Sequence, residues 1–230
     1  MKIKAIFDKC YKEIGSEKNS DIKWYLNERP KTITRDSFFE ASVFAIWVSG
    51  LKRKSVVTFL ENAESKGFSW DFTKIAKKTS KTWEEFKKKL HDHPVPLRAS
   101  GKWDAVRIIA KQLSKYKDDN EFRIEFFDGK ARSSRLDNND VKNLKKRKIP
   151  YIGPANSHFI IRNMGGEAIK CDRWLAAFMK HYGINEPQIL KMINRANIPA
   201  GLFDLVIWAY CEMFIGKTSE LDRHFKYFSK

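Results

Sequence analysis

Apolar positions repeat at helical intervals along nearly the whole chain, and sustained two-residue alternation is scarce. RDSFFEASVFAIWVSG (35–50) has an almost wholly apolar interior, with Asp36 and Ser37 as caps at its start and Gly50 as its stop. A helix that is apolar on every face belongs in the middle of a core. KRKSVVTFLENAESKG (52–67) reads as an amphipathic helix closing at Gly67. SKTWEEFKKKLHD (80–92) has Ser80 or Thr82 as its cap and sets Trp83, Phe86 and Leu90 on one face. HPVPLRASG (93–101) is a proline-bearing turn, and GKWDAVRIIAKQLSKY (101–116) restarts a helix with Val106, Ile109 and Leu113 inward.

Residues 117–139 are polar and mixed, and EFRIEFF (121–127) alternates enough to leave a short strand or an extended connection open. LDNNDVKNLKKRK (136–148) is a short helix capped near Asn139, and the helix after Gly153 ends at Gly165-Gly166. DRWLAAFMKHYG (172–183) is capped by Asp172 and stopped by Gly183. EPQILKMINRA (186–196) and the very apolar PAGLFDLVIWAYCEMFIG (199–216) complete the series. The pattern predicts an all-α protein of about ten helices in two packed lobes. Residues 36–165 form one lobe, and residues 1–35 with 166–230 form the other.

Composition adds a partner to this picture. The 230 residues can bury a real core, and 42% of them are hydrophobic, too many for a disordered chain. A formal net charge of +17 concentrates anions, and the usual anionic partners are nucleic acid and membrane surfaces. Aromatic residues make up 13% of the chain, which favours nucleic acid, since bases stack on rings while cations hold phosphates. The N-terminal MKIKAIFDKCYKEIG has no uninterrupted apolar core, so it does not read as a signal peptide, and no stretch is long enough to span a bilayer. Cys10, Cys171 and Cys211 are widely spaced thiols that suit a reducing cytosol. The expectation is a soluble intracellular protein.

The stretch IPYIGPANSHFIIRNMGGEAIKCD (149–172) carries the candidate chemistry. A P-x-x-G turn joins two short helices, and Gly153 has no side chain to hinder a phosphate approaching the amides that open the second helix. Those amides are unpaired donors at the positive end of a helix dipole. Lys145, Lys146, Arg147 and Lys148 stand just before the turn. Contacts of this kind ignore base sequence and weaken with salt. By itself the turn also fits any helical connection.

The order of the parts resembles the helix-hairpin-helix superfamily of DNA glycosylases, the base-excision repair enzymes, over residues 36 to 215. A buried FFEASVFAIW helix comes first and a GKWDAVRIIAKQL helix later. Then follow the hairpin, a further helix, the acid at 172 and the apolar FDLVIWAY helix. The family's hairpin consensus, similar to L-P-G-V-G, stands here as Ile149-Pro150-Tyr151-Ile152-Gly153, with Tyr151 in place of the first glycine. The resemblance places the family's essential aspartate on Asp172 and the DNA-backbone contacts on Ile152, Gly153, Ala155, Asn156, Lys146, Arg147 and Lys148. It implies double-stranded DNA carrying a damaged base as partner, a cleft between the lobes, a monomer in the cytoplasm with the nucleoid, and no membrane, metal or cofactor.

Glycosidic cleavage builds positive charge on the sugar as the base departs, and a nearby carboxylate stabilises it and helps to place water. Asp172 is also well suited to be a plain helix cap, and one side chain can do both. Family members that also cut the backbone carry a lysine just past the hairpin glycine. Here Pro154, Ala155 and Asn156 stand there, which implies a monofunctional enzyme using water. Lys170, two residues before the acid, is the substitute if a lyase exists. Branches with a four-cysteine iron–sulfur cluster are set aside for want of cysteines. The remaining branches act on alkylated purines, of the 3-methyladenine kind, or on 8-oxoguanine. The missing lysine favours alkylated purines. Cationic bases suit an aromatic pocket, for which Phe39, Trp47, Trp174, Trp208 and also Tyr210 are candidates, each equally able to be core. His158 reads as a surface or core histidine. A helix-hairpin-helix protein that binds DNA without cleaving it, and a basic helical protein that binds RNA or a protein partner, are the remaining alternatives. His91-Asp92-His93, beside two prolines, reads as a turn before a metal site, and no phosphate-loop or Ser or Cys nucleophile motif is present.

Overall fold

A computed structural model describes residues 2–15, 19–51, 53–89, 100–127 and 136–225. Helix makes up 73% of it with no strand among the described residues, which establishes the all-α class. An isolated bridge joins Asp137 and Glu167. The helices are α1 (Ile3–Ile14), α2 (Ser20–Asn27), α3 (Arg35–Val48), α4 (Arg53–Ser65), α5 (Phe72–Lys77), α6 (Ser80–Lys89) and α7 (Ser100–Leu113). They continue as α8 (Asp119–Phe126), α9 (Asn138–Lys146), α10 (Pro154–Asn163), α11 (Arg173–Tyr182), α12 (Glu186–Arg195), α13 (Ala200–Tyr210) and α14 (Leu221–Phe225). More helices form than the apolar pattern announced, because α2, α5 and α14 are too short to show a period. Leu90, the His91-Asp92-His93 group and the turn through residue 99 lie outside the described residues.

The chain divides into two compact units, one of residues 1–31, 135–138 and 161–230, the other of residues 32–134 and 139–160. The last of the boundaries between them falls inside α10, after Ile160.

In the unit of residues 32–134 and 139–160, α3 lies against α7 and α4, and α5 lies against α7. The cap of α3 is Thr34, one turn ahead of the expected pair. Its Oγ1 accepts the Ser37 N–H at 3.0 Å while Ser37 Oγ accepts the Thr34 N–H at 2.9 Å, a reciprocal box that leaves Asp36 exposed. Trp47 packs on Phe59 and Trp103 with ring centroids 4.7 and 4.9 Å apart. Val106, Ile109 and Leu113 are buried on α7 as their spacing predicts. Buried Lys102 donates to the carbonyls of Trp47 and Ser49 at 3.1 and 2.6 Å, so an ammonium group closes the C-terminal end of α3. Burial holds that ammonium below the ordinary lysine range.

EFRIEFF is helical. Asp118 accepts the Glu121 N–H at 2.9 Å to open α8, and Phe122 and Phe126, four residues apart, both pack on Phe38. Strand alternation would have buried Ile124 with them, but it is 39% exposed.

In the other unit, α13 lies against α1, α2, α11 and α12. Phe203, fully buried, meets Phe7 and Phe178 at 6.3 and 5.9 Å. Burying each such ring stabilises by roughly 1.5–3 kcal/mol. The end of α13 runs into a π-helical turn, Cys211–Ile215. Among the described residues no single helix is long and apolar enough to cross a membrane.

Candidate nucleic-acid interface and the acid at position 172

Residues 147–153 join α9 to α10. The Ile152 N–H donates to the Ile149 carbonyl at 3.0 Å, closing a turn with Pro150 and Tyr151 at its centre. Pro150 has the φ that the first central position wants. Tyr151 takes the left-handed conformation of the second, φ +63°, where glycine is usual. Thus the tyrosine that replaces glycine in the hairpin pattern keeps a glycine-like backbone, at a cost of roughly 1–2 kcal/mol. Two contacts hold it there. Asn156 Nδ2 donates to the Tyr151 carbonyl at 2.7 Å, and the Tyr151 ring lies so close to Gly101 that a Cβ there would stand 2.7 Å from its hydroxyl.

Beyond this turn, the Gly153 carbonyl receives both the N–H and the hydroxyl of Ser157, at 2.9 and 3.0 Å, which starts α10. Pro154 stands at the first helical position, where its missing N–H is harmless. Gly153 itself is exposed, has no positive φ, and a Cβ added to it would meet nothing within 4 Å. Ala155 is exposed beside it, and Ile152 is buried with its amide committed to the turn.

The cations before the turn separate into two kinds. Lys146 and Lys148 are exposed. Arg147 instead donates to the carbonyls of Glu125 and Phe126 at 2.7 and 3.0 Å, and its guanidinium lies 4.3 Å from the Phe126 ring centroid. It closes the C-terminal end of α8. His158 is buried on α10.

In the other unit, Asp172 caps α11. Its Oδ1 accepts the N–H groups of Trp174 and Leu175 at 2.9 and 3.2 Å. The residue as a whole is half-buried. The approach to it is pinned: the Asp172 N–H donates to Lys170 O at 2.6 Å, and Glu167 N–H to Leu136 O at 2.6 Å. Glu167 in turn accepts the Ala200 N–H at 2.6 Å, capping α13.

The sequence reading missed the group behind this segment. Asp204, in the middle of apolar α13, is buried and paired with buried Arg162 from α10, and it also accepts the Lys170 N–H. Burial pushes the Asp204 carboxyl up to about 6 against the pull of the Arg162 guanidinium, and the charge of Asp172 adds to the rise. Burial likewise holds the Lys170 ammonium below the ordinary lysine range, while Asp172 and Asp204 pull it back up. Gly201 makes room for the pair, since a Cβ there would stand 2.6 Å from the Tyr25 hydroxyl and 2.9 Å from Arg162 Cγ. The lone acid in AGLFDLVIWAY was the visible signal. Its partner lies 42 residues away and had none.

The aromatic candidates fall into different units. Phe39 and Trp47 are core residues of the unit containing α3, where Phe39 meets Phe72 at 6.1 Å. Trp174 and Tyr210 are buried in the other unit, and the Trp174 indole N–H donates to Glu212 Oε1 at 2.6 Å. Helical core packing accounts for the burial of all four. Trp208 alone of the five is half-buried. The cysteines are free, and burial raises all three thiols, Cys171 and Cys211 to about 12, so none is a thiolate at neutral pH. Among the described residues no three His, Cys, Asp or Glu side chains are grouped to hold a metal ion.

No protein-family model matches the chain, and neither a curated protein nor a solved structure matches it.

Proposed function

We propose that this protein is a monofunctional DNA glycosylase of the helix-hairpin-helix type, hydrolysing the N-glycosidic bond of an alkylated purine turned out of duplex DNA. The observation that carries the reading is Gly153. It is an exposed glycine needed neither by its own φ nor by any neighbour within 4 Å, directly before the first turn of α10 and after exposed Lys146 and Lys148. A glycine without an internal reason is accounted for by a ligand that comes close from outside, and a phosphate on the opening amides of a helix is such a ligand.

Asp172 is the acid of this reaction. As the C1′–N bond breaks, its electron pair leaves with the purine and positive charge develops on the sugar. The carboxylate stabilises that charge while water bonds to C1′, and it takes up the proton that the water loses. The cap bonds to Trp174 and Leu175 fix the carboxylate in advance, so little reorganisation is needed during the reaction. The substrate places the enzyme in the cytoplasm with the nucleoid, acting as a monomer on damaged duplex. Incubation with a panel of lesion-bearing duplexes, with and without hot alkali, tests the reading. Free alkylated purine, with strand breaks only after alkali, is the expected result. No release from any lesion would leave a DNA-binding protein and sink the enzyme.

One observation favours a second reading, in which Lys170 also cuts the strand. Its ammonium is held below the ordinary range by burial and stands two residues from Asp172. An amine so placed forms a Schiff base with the sugar aldehyde more readily than an ordinary lysine. Borohydride would then trap a covalent protein–DNA adduct in the wild type and none in Lys170→Ala.

A further inference from the structure

The C-terminal end of α7, beside α5 and the start of α3, carries a feature that the glycosylase reading does not use. A cavity of about 600 Å³, open to solvent, is lined by Arg35, Phe72, Thr73, Ala76, Lys77, Lys111, Ser114, Lys115, Tyr116 and Lys117. Five of these are cations and none is an acid, whereas Lys and Arg together number 45 of the 230 residues of the chain. The cations arrive from separate pieces of backbone: the start of α3, the end of α5, the end of α7 and the residues just after it. Helix C-termini attract lysines on their own account, which covers Lys77 and Lys111 in the last turns of α5 and α7. Lys115 and Lys117 lie beyond the end of α7, and that reason does not reach them.

The floor of the cavity is fixed and its rim is not. Arg35 donates through Nε to Asp119 at 3.0 Å and through a terminal nitrogen to the Tyr116 carbonyl at 2.7 Å, with its guanidinium 5.5 Å from the Phe72 ring. Of the neighbouring acids, Asp119 is engaged by Arg35, Glu121 accepts the Lys117 N–H and Asp118 accepts the Glu121 N–H. Lys77, Lys111, Lys115 and Lys117 are exposed around this floor. Two of the lining hydroxyls are committed as donors, Thr73 to Asp71 at 2.7 Å and Ser114 to the Ala110 carbonyl at 2.9 Å.

We infer that this cavity is a second phosphate-binding site, separate from the hairpin, that holds neighbouring phosphates of a nucleic-acid backbone. Lysine acts on phosphate as a mobile point charge, without the directed fork of arginine. A site rich in lysines, with no acid among its lining side chains, selects for charge density and against detailed shape. That suits a repeating phosphodiester in an open groove better than one small ligand enclosed on all sides. The inference rests on the nucleic-acid reading of the hairpin for its partner, but on none of the hairpin's residues.

The experiment measures duplex affinity against salt for the wild type, for Lys111→Ala/Lys115→Ala, and for a control, Lys23→Ala/Lys191→Ala, that removes the same charge from exposed positions of the other unit. A parallel arm titrates each protein with tripolyphosphate, and another with anionic phosphatidylserine vesicles. The expected result is a loss of about tenfold in affinity and a salt slope shallower by about two for the α7 pair, with the control within about twofold. The α7 pair should also lose tripolyphosphate binding. Equal losses in both double variants, or none in either, would overturn the site by reducing it to general charge. A wild type that binds tripolyphosphate through Lys111 and Lys115 but no duplex would keep the phosphate site and overturn the nucleic-acid reading. Vesicle binding dependent on the same lysines, without duplex binding, would replace the partner with a lipid surface.

Discussion

A Cβ added to Gly153 would meet nothing within 4 Å, whereas one added to Gly201 would run into the Tyr25 hydroxyl at 2.6 Å and Arg162 Cγ at 2.9 Å. The two glycines stand for two regions of the molecule. Around Gly201 the acid segment is explained from inside: Asp204 answers Arg162 and the Lys170 amide, Glu167 answers Ala200, and Asp172 answers the first amides of α11. Around Gly153 the glycine, Ala155 and two lysines face solvent, and nothing within 4 Å requires the glycine. A residue the fold already explains says little about function, even when it carries a carboxylate. The unexplained residue is the more informative one, and the hairpin supports the proposed chemistry more strongly than the acid does.

That contrast can be broken by substitution. Asp204→Ala should be the most damaging change, about 3–5 kcal/mol in urea unfolding, because it leaves the Arg162 guanidinium buried without its counter-charge. A value under 1 kcal/mol would mean that the acid segment is not held from inside. Asp204→Asn isolates the titration. The native carboxyl, raised to about 6, holds a proton that the unfolded chain has released at its ordinary value of 3.8. Wild-type stability therefore falls relative to the variant as pH rises through that window, by up to about 3 kcal/mol, and stays at the lower value above it. Parallel unfolding curves for the two proteins from pH 4 to 7 would contradict the assignment.

Gly201→Ala should cost about 1–3 kcal/mol by crowding Tyr25 and Arg162. Asp172→Ala should cost about 1 kcal/mol as a lost cap, and Asp172→Asn much less, since asparagine caps as well as aspartate. Gly153→Ala sharpens the comparison most, with the smallest effect on stability. The folded chain has room for the methyl and the unfolded chain loses freedom, so stability should hold or rise by up to about 1 kcal/mol. Duplex affinity should nevertheless fall about tenfold. Unchanged binding would remove the argument from Gly153.

Much of the fold was legible in the letters because it depends on near neighbours. The apolar runs of α3 and α13 demanded burial, and Asp172 with Gly183 bracketed α11 as their chemistry requires. What escaped depended on distant partners or on a choice between equals. EFRIEFF alternates on paper, but as a helix it sets Phe122 and Phe126 on Phe38 and brings Phe127 there too, and that choice needs α3 in place. Arg147 looked like one more cation in KKRK until its carbonyl acceptors at the end of α8 were known. Phe39, Trp47, Trp174 and Tyr210 could equally have been core or pocket, and only burial separates those roles. The pair of Arg162 with Asp204 has no periodicity at all.

The central claim joins the hairpin to a carboxylate that performs the cleavage, and Asp172→Asn tests it with the cap left intact. Release of alkylated purine from damaged duplex under single-turnover conditions should be measured for both proteins, with duplex affinity determined on the same samples. A loss of release of more than about a hundredfold, with affinity within a few-fold of the wild type, is the predicted result. Wild-type release by Asp172→Asn would contradict the account and leave Asp172 a helix cap alone.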